Sequence, residues 1–291
     1  MIHRFISHNG RLLPVEESRL SPGQSGLLNG WGLFTTVRIV EGIPFAFGRH
    51  WKRLERDAER TRCPFPYEEA VVRGQVGDVL RANEVREGCA RIYVVTNQTG
   101  LWRSDENMPA VDLLVCSADL PAYRDPVRLA VREHGRHAAS PLAGAKVTSW
   151  LNNVWCLQEA QRGGFDEVVL LNERGEVSEC TSANIFCVCG GRVATPPLDS
   201  GCLEGVTRNV LLEIGSGAGA PMEERTLFPE DLYAAEEVFI SSTNRGVLAV
   251  AEIAGQKIAA VPGHVTLKLE KAFAAYVREY IDSRAVSQTR R

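Results

Sequence analysis

From Glu167 to Thr195 the chain changes direction every few residues, and this constrains the fold more than any other stretch. Glu167-Val168-Val169-Leu170-Leu171 is apolar after its first residue and reads as a buried strand. Asn172-Glu173-Arg174-Gly175 is a turn leading into Val177, and 184–188 and 192–195 are two more short strands. Further strand signals lie at 33–40, 44–47, 91–96, 111–117, 127–132 and 237–240, and 1–14 reads as a hairpin about His8-Asn9-Gly10. Helical spacing occurs at 48–61, where Trp51, Leu54 and Ala58 share a face, and at 68–83, 150–161, 208–214 and 263–284. Strands outnumber helices in both halves and the connections are mixed, so the expectation is an α+β protein.

The best linker is Pro121-Ala122-Tyr123-Arg124-Asp125-Pro126, with two prolines and a charge pair between strands. It divides the chain into a small α+β domain, 1–120, a linker, 121–126, and a larger α+β domain, 127–291, carrying Lys146, with the site expected between the two. Gly215-Ser216-Gly217-Ala218-Gly219 has dinucleotide-like glycines but follows a helix instead of a strand, so that reading is rejected.

Composition removes several classes of function. A net charge of −3 gives no reason to expect nucleic acid. No run of eighteen apolar residues or signal-peptide core is present, so neither a membrane span nor export is expected. The eight cysteines are scattered without a Cys-x-x-Cys pair, as in a reduced cytosolic protein.

Five residues of this chain are lysines against 33 basic residues in all. Lys52 lies in a charged helix, Lys257 in a turn, and Lys268 and Lys271 on the last helix. Lys146 follows Pro141-Leu142-Ala143-Gly144-Ala145, with no carboxylate near it in sequence. Small apolar neighbours disfavour an ammonium, and a neutral amine is the nucleophile that a carbonyl requires. The commoner reading of any lysine is a solvated surface group. Gly205-Val206-Thr207 opens a helix whose free N–H groups suit a phosphate, or is an ordinary capped helix. Ser241-Ser242-Thr243 is a hydroxyl-rich loop with the same two readings. Glu179 is a lone acid in a polar loop. His134 and His137 have one-turn spacing but no third ligand, so no metal is expected.

The order and spacing of these pieces resemble the fold-type IV (class IV) pyridoxal-phosphate enzymes, among them branched-chain and D-amino acid aminotransferases and 4-amino-4-deoxychorismate lyases. The resemblance runs over nearly the whole chain. It includes Gly30-Trp31-Gly32-Leu33-Phe34, His50-Trp51-Lys52-Arg53-Leu54, Lys146, Asp166-Glu167, Ser178-Glu179 through Phe186, Gly201 through Arg208, and Ser242-Thr243 to Val250.

It implies a two-domain fold with pyridoxal 5'-phosphate between the domains. Lys146 would hold the cofactor covalently and move the substrate's α-proton. Glu179 would keep the pyridine nitrogen protonated, Leu203 would pack on the ring, and Arg53, Val206, Thr207 and Thr243 would bind the phosphate. Phe34, Thr35, Asn244 and Arg245 would face the substrate, Arg245 as a fork for a carboxylate. A cytosolic homodimer is also implied. Departures are Trp31 where the family usually has aspartate, Trp150 where many members have tyrosine, and Asn97-Gln98 where D-specific enzymes have an arginine. The leading expectation is an aminotransferase acting on a small or branched amino acid and a 2-oxo acid. The alternative is a lyase that releases pyruvate and 4-aminobenzoate from aminodeoxychorismate.

Overall fold

The computed structural model describes residues 1–97 and 109–289. The chain forms two compact units. One comprises Met1–Pro121, Ala145–Trp150 and the chain from Tyr280 on; the other comprises Ala122–Gly144 and Leu151–Glu279.

The first unit is built on a six-stranded antiparallel sheet. Its strands are β1 (Phe5–His8), β2 (Arg11–Pro14), β3 (Gly32–Val40), β4 (Ile43–Pro44), β5 (Gly88–Thr96) and β6 (Val111–Ala118), in the order β2-β1-β6-β5-β3-β4. Its helices are α1 (Ser25–Asn29), α2 (Phe47–Thr61) and α3 (Glu69–Ala82). Leu33, Val37, Ile39, Ile92, Val94, Leu113 and Val115 pack with Trp51 and Leu54 of α2 and Val72 and Val76 of α3. The alternation along β3 thus puts Leu33, Thr35 and Val37 on the helix side and Phe34 on the other. A strand expected at 44–47 ends at Pro44. Ala46 is left-handed, with φ 52°, and its carbonyl accepts the N–H groups of Arg49 and His50, so Phe47 starts α2 instead.

The Lys146 segment corrects the expected assignment to the C-terminal domain. Its backbone extends the free edge of β3: Phe34 N–H donates to the Lys146 carbonyl at 3.1 Å and Thr148 N–H to the Gly32 carbonyl at 2.9 Å. Leu33 and Val147 form an antiparallel bridge. These bonds attach residues 145–150 to the first sheet.

The second unit holds a nine-stranded mixed sheet. Its strands are β7 (Val127–Arg132), β8 (Glu167–Leu171), β9 (Val177–Cys180), β10 (Asn184–Cys189), β11 (Arg192–Thr195), β12 (Met222–Glu224), β13 (Glu237–Ser242), β14 (Gly246–Ile253) and β15 (Gln256–Lys257). The order is β12-β11-β10-β13-β14-β7-β8-β9, with β15 on β14. The helices are α4 (Leu151–Arg162), α5 (Val206–Ile214), α6 (Pro229–Tyr233) and α7 (His264–Thr289). One core cluster stacks the Phe186 and Phe239 rings at 4.6 Å and 7° on adjacent strands, beside Leu211 of α5 and Leu269 of α7. No described helix is long and apolar enough to cross a membrane.

Both rings of that stack are fully buried. Phe239→Ala is expected to destabilise the second unit by about 3–5 kcal/mol, read as a lower urea midpoint with unchanged slope. A shift within the error of the midpoint would show that the cluster does not carry this core.

Candidate active site

In the first unit the chemistry gathers on one face of α2. Arg53 and His50 are buried there, unlike the solvated arginines of the same helix. Thr35 of β3, wholly buried, accepts a hydrogen bond from Arg53 Nη2 at 3.0 Å and lies 2.9 Å from His50 Nδ1. Arginine can only donate, so the Thr35 hydroxyl accepts from Arg53 and keeps a proton and a second lone pair to meet His50 Nδ1. His50 Nε2 is buried without a partner. Burial, with the charges of Arg53 and Lys146, holds His50 well below the usual histidine pKa, so it stays neutral.

Lys146 Nζ lies 4.4 Å from the centroid of the Phe34 ring. Phe34 stacks on Tyr93 at 5.7 Å and meets Trp150 edge-on at 6.2 Å. The amine therefore borders an aromatic wall of Phe34, Tyr93 and Trp150. Trp150, which replaces the expected tyrosine, packs on Phe34. Thr35 points away from this wall, toward α2, and so bears on Arg53 instead of a substrate. Asn97, whose side chain donates to the Pro109 carbonyl, is buried; Gln98 lies outside the described residues.

In the second unit Glu179 is buried on β9. Its Oε1 accepts Arg136 Nη2 at 2.6 Å, and Arg136 is held in turn by Asn153 at 3.3 Å. Arg136 carried no local signal in the sequence, since its partner is 43 residues away. Two residues on, the turn Thr181-Ser182 is tied to Glu167. Glu167 also accepts Arg245 Nη2 at 3.2 Å. The Arg245 guanidinium further donates to Ser182 and stacks 4.2 Å over Tyr123. This differs from the expected substrate fork: the guanidinium is committed to the protein's own network. Its neighbours Thr243 and Asn244 form the turn between β13 and β14, and Asn244 Oδ1 is buried without a partner.

The α5 start is a close fit. No side chain caps it. A Cβ on Gly205 would lie 2.0 Å from Asn184 Oδ1, and Asn184 donates to the Leu203 carbonyl at 2.8 Å, fixing the turn. Thr207 is buried at the first turn, Leu203 half-buried before it.

These donor sets suit pyridoxal 5'-phosphate. Arg53, the uncapped N–H groups of Val206 and Thr207 and the hydroxyls of Thr207 and Thr243 are phosphate ligands by type. A buried carboxylate already pinned by an arginine suits a protonated ring nitrogen. Leu203 supplies an apolar surface. Among the described residues no group of three His, Cys, Asp or Glu side chains is placed to hold a metal ion.

Residues 32–253 match the family model described as amino-transferase class IV. A Methanocaldococcus jannaschii protein provisionally named a branched-chain-amino-acid aminotransferase is 31% identical over 272 residues, covering 91% of this chain and 93% of its own. The branched-chain aminotransferase of Thermoproteus uzoniensis, solved with norvaline, superposes with a TM-score of 0.86 at 28% identity, covering 94% of this chain and 95% of that one. A T.th. branched-chain amino acid aminotransferase, solved with pyridoxamine 5'-phosphate, gives 0.86 at 26% identity and 94% of both chains.

The neutral His50 makes a pH prediction. Its folded pKa lies below the unfolded value of about 6.5, so above that pH it has no effect. As pH falls below about 6.5 the unfolded chain takes up a proton that the folded protein refuses. Stability is then lost by up to about 1.4 kcal/mol per pH unit. Urea titrations between pH 6.5 and 5.5 should show this slope flattened in His50→Gln. An equal slope in both proteins would contradict the assignment.

Proposed function

The chain belongs to the class IV aminotransferases, and we propose that it moves the amino group of a small or branched amino acid to a 2-oxo acid in two half-reactions, using pyridoxal 5'-phosphate. The observation that carries this reading is Lys146, an amine set against the Phe34, Tyr93 and Trp150 wall. An apolar wall beside the reacting amine favours an apolar substrate side chain. The names of the relatives support the same substrate class.

The cofactor supplies an electron sink for the substrate's α-carbon. Lys146 would hold it covalently, and its amine would carry the proton to and from that carbon. Glu179 keeps the ring nitrogen protonated, and Arg136 holds Glu179 in position for this. Arg53, Val206, Thr207 and Thr243 bind the phosphate, and Leu203 packs on the ring. Phe34 borders the substrate's side chain, and Asn244 offers an acceptor to a polar group of the substrate. A cytosolic homodimer completes the reading, on the strength of the family resemblance.

Purified protein should absorb in the visible, and borohydride should fix the cofactor to Lys146. Lys146→Ala should abolish that fixation and lower transamination by about 10²–10⁴-fold, the span that general acid–base groups supply. Added alone, L-leucine should convert the bound cofactor to its amine form. If L-leucine, L-alanine and D-alanine all fail, and aminodeoxychorismate yields 4-aminobenzoate, the lyase replaces this reading.

A further inference from the structure

Asp57 is a buried carboxylate that none of the roles above uses. It lies on α2 one turn beyond Arg53 and is 1% exposed. Its Oδ2 accepts the backbone N–H of Lys146 at 3.0 Å, across 89 residues of sequence. Its Oδ1 accepts Arg56 Nε at 3.2 Å and Nη2 at 3.1 Å.

Pairing with Arg56 does not account for this burial. The Arg56 side chain is 35% exposed and would be hydrated without a partner. Burying a carboxylate is costly unless its bonds are good, and the two Arg56 bonds go to Oδ1. The bond that repays desolvation is the charge-assisted one to the Lys146 N–H. With it, both polar backbone groups of Lys146 are engaged: β3 donates to the carbonyl through Phe34 N–H, and α2 accepts the N–H through Asp57. Arg53 and Asp57, four residues apart, lie on one side of the helix. The helix that presents the guanidinium therefore also sets the Cα position of the lysine.

We propose that Asp57 is a positioning residue for Lys146, whose carboxylate locks the lysine backbone to the helix that carries Arg53. This rests on the reading that Lys146 holds the cofactor. Reaction geometry is sensitive on this scale: a misplacement of about 1 Å can lower a rate by about 10²-fold.

The test compares the wild-type holoenzyme with Asp57→Ala, Asp57→Asn and Arg56→Gln. The readouts are circular dichroism, the dissociation constant for pyridoxal 5'-phosphate, and the pH midpoint of the bound cofactor's visible band. Asp57→Ala should remain folded, bind the cofactor about 10- to 100-fold more weakly, as expected for loss of a hydrogen bond to a charged group, and shift the band midpoint. Asp57→Asn keeps an oxygen for the Lys146 N–H and should restore both readouts to near wild type. It carries the test by itself should the alanine variant not fold. Arg56→Gln should match wild type. A folded Asp57→Ala with wild-type affinity and midpoint overturns the proposal. So does an asparagine variant as impaired as the alanine one, or an Arg56→Gln that reproduces the loss. Absence of any borohydride-fixed cofactor in the wild type removes the Lys146 reading and this one with it. Fixation in the wild type with an unaffected Asp57→Ala removes this one alone.

Discussion

The carboxylate of Glu167 is the interaction on which the loops of the second unit depend. It is 1% exposed at the start of an otherwise apolar strand. An isolated charge there would be untenable, since desolvation alone costs several kcal/mol or more. It is satisfied by the Val168 and Thr181 N–H groups, the Thr181 and Ser182 hydroxyls and the Arg245 guanidinium. Apart from Val168, the next residue of β8, these partners come from two turns, one between β9 and β10 and one between β13 and β14. One turn begins two residues after Glu179, and the other contains Thr243. Strand pairing of Glu179 with Leu170 sets the acid proposed for the ring nitrogen against β8, and the Glu167–Arg245 ion pair ties the turn that holds the hydroxyl proposed for the phosphate to the same strand.

The first unit uses a different device. α2 is mostly charged, and most of its charges face water. The exceptions are His50, Arg53 and Asp57, which are all buried. A cation, a neutral base and an anion at these positions limit the uncompensated charge that the helix brings inside. Burial is the main reason that the His50 pKa is lowered, and the charges of Arg53 and Lys146 add to it. Thr35 completes the arrangement, because a hydroxyl can accept from arginine and donate to imidazole at once.

The elements were legible wherever period and turn chemistry agreed. The strands 127–132, 167–171 and 192–195 have the expected bounds, and the long helices differ at their ends only. The short helices α1 and α6 and the strands β12 and β15 were not read, because too few residues carry their pattern, and the eight-residue strand β14 was also missed. Lys146 stood out as an amine in an apolar setting, whereas Glu179 and the Gly205 turn were ordinary alone and stood out only through the order and spacing that carry the resemblance. Arg136 and Asp57 did not. An arginine or aspartate in a polar stretch looks solvated, and only the fold reveals that its partner lies 43 or 89 residues away. Glu167 was within reach, since a charge opening an apolar run must find a counter-charge somewhere. Arg245 was readable as a guanidinium that binds a carboxylate, but the carboxylate it meets belongs to the protein.

In the role proposed for it, Lys146 combines two requirements that usually conflict. A residue that both holds a cofactor and moves a proton must start from a defined place and yet travel. The chain meets the first demand in the backbone, where β3 and Asp57 take up the carbonyl and the N–H. It meets the second in the side chain, which rests against the face of Phe34. A contact of this kind contributes at most about 2 kcal/mol, enough to favour one position without trapping the amine there. The ring that guides the amine also belongs to the wall proposed for the substrate. Enlarging or polarising that wall would therefore change the path of the proton as well as the choice of side chain, so selectivity and rate at this site are physically linked through Phe34.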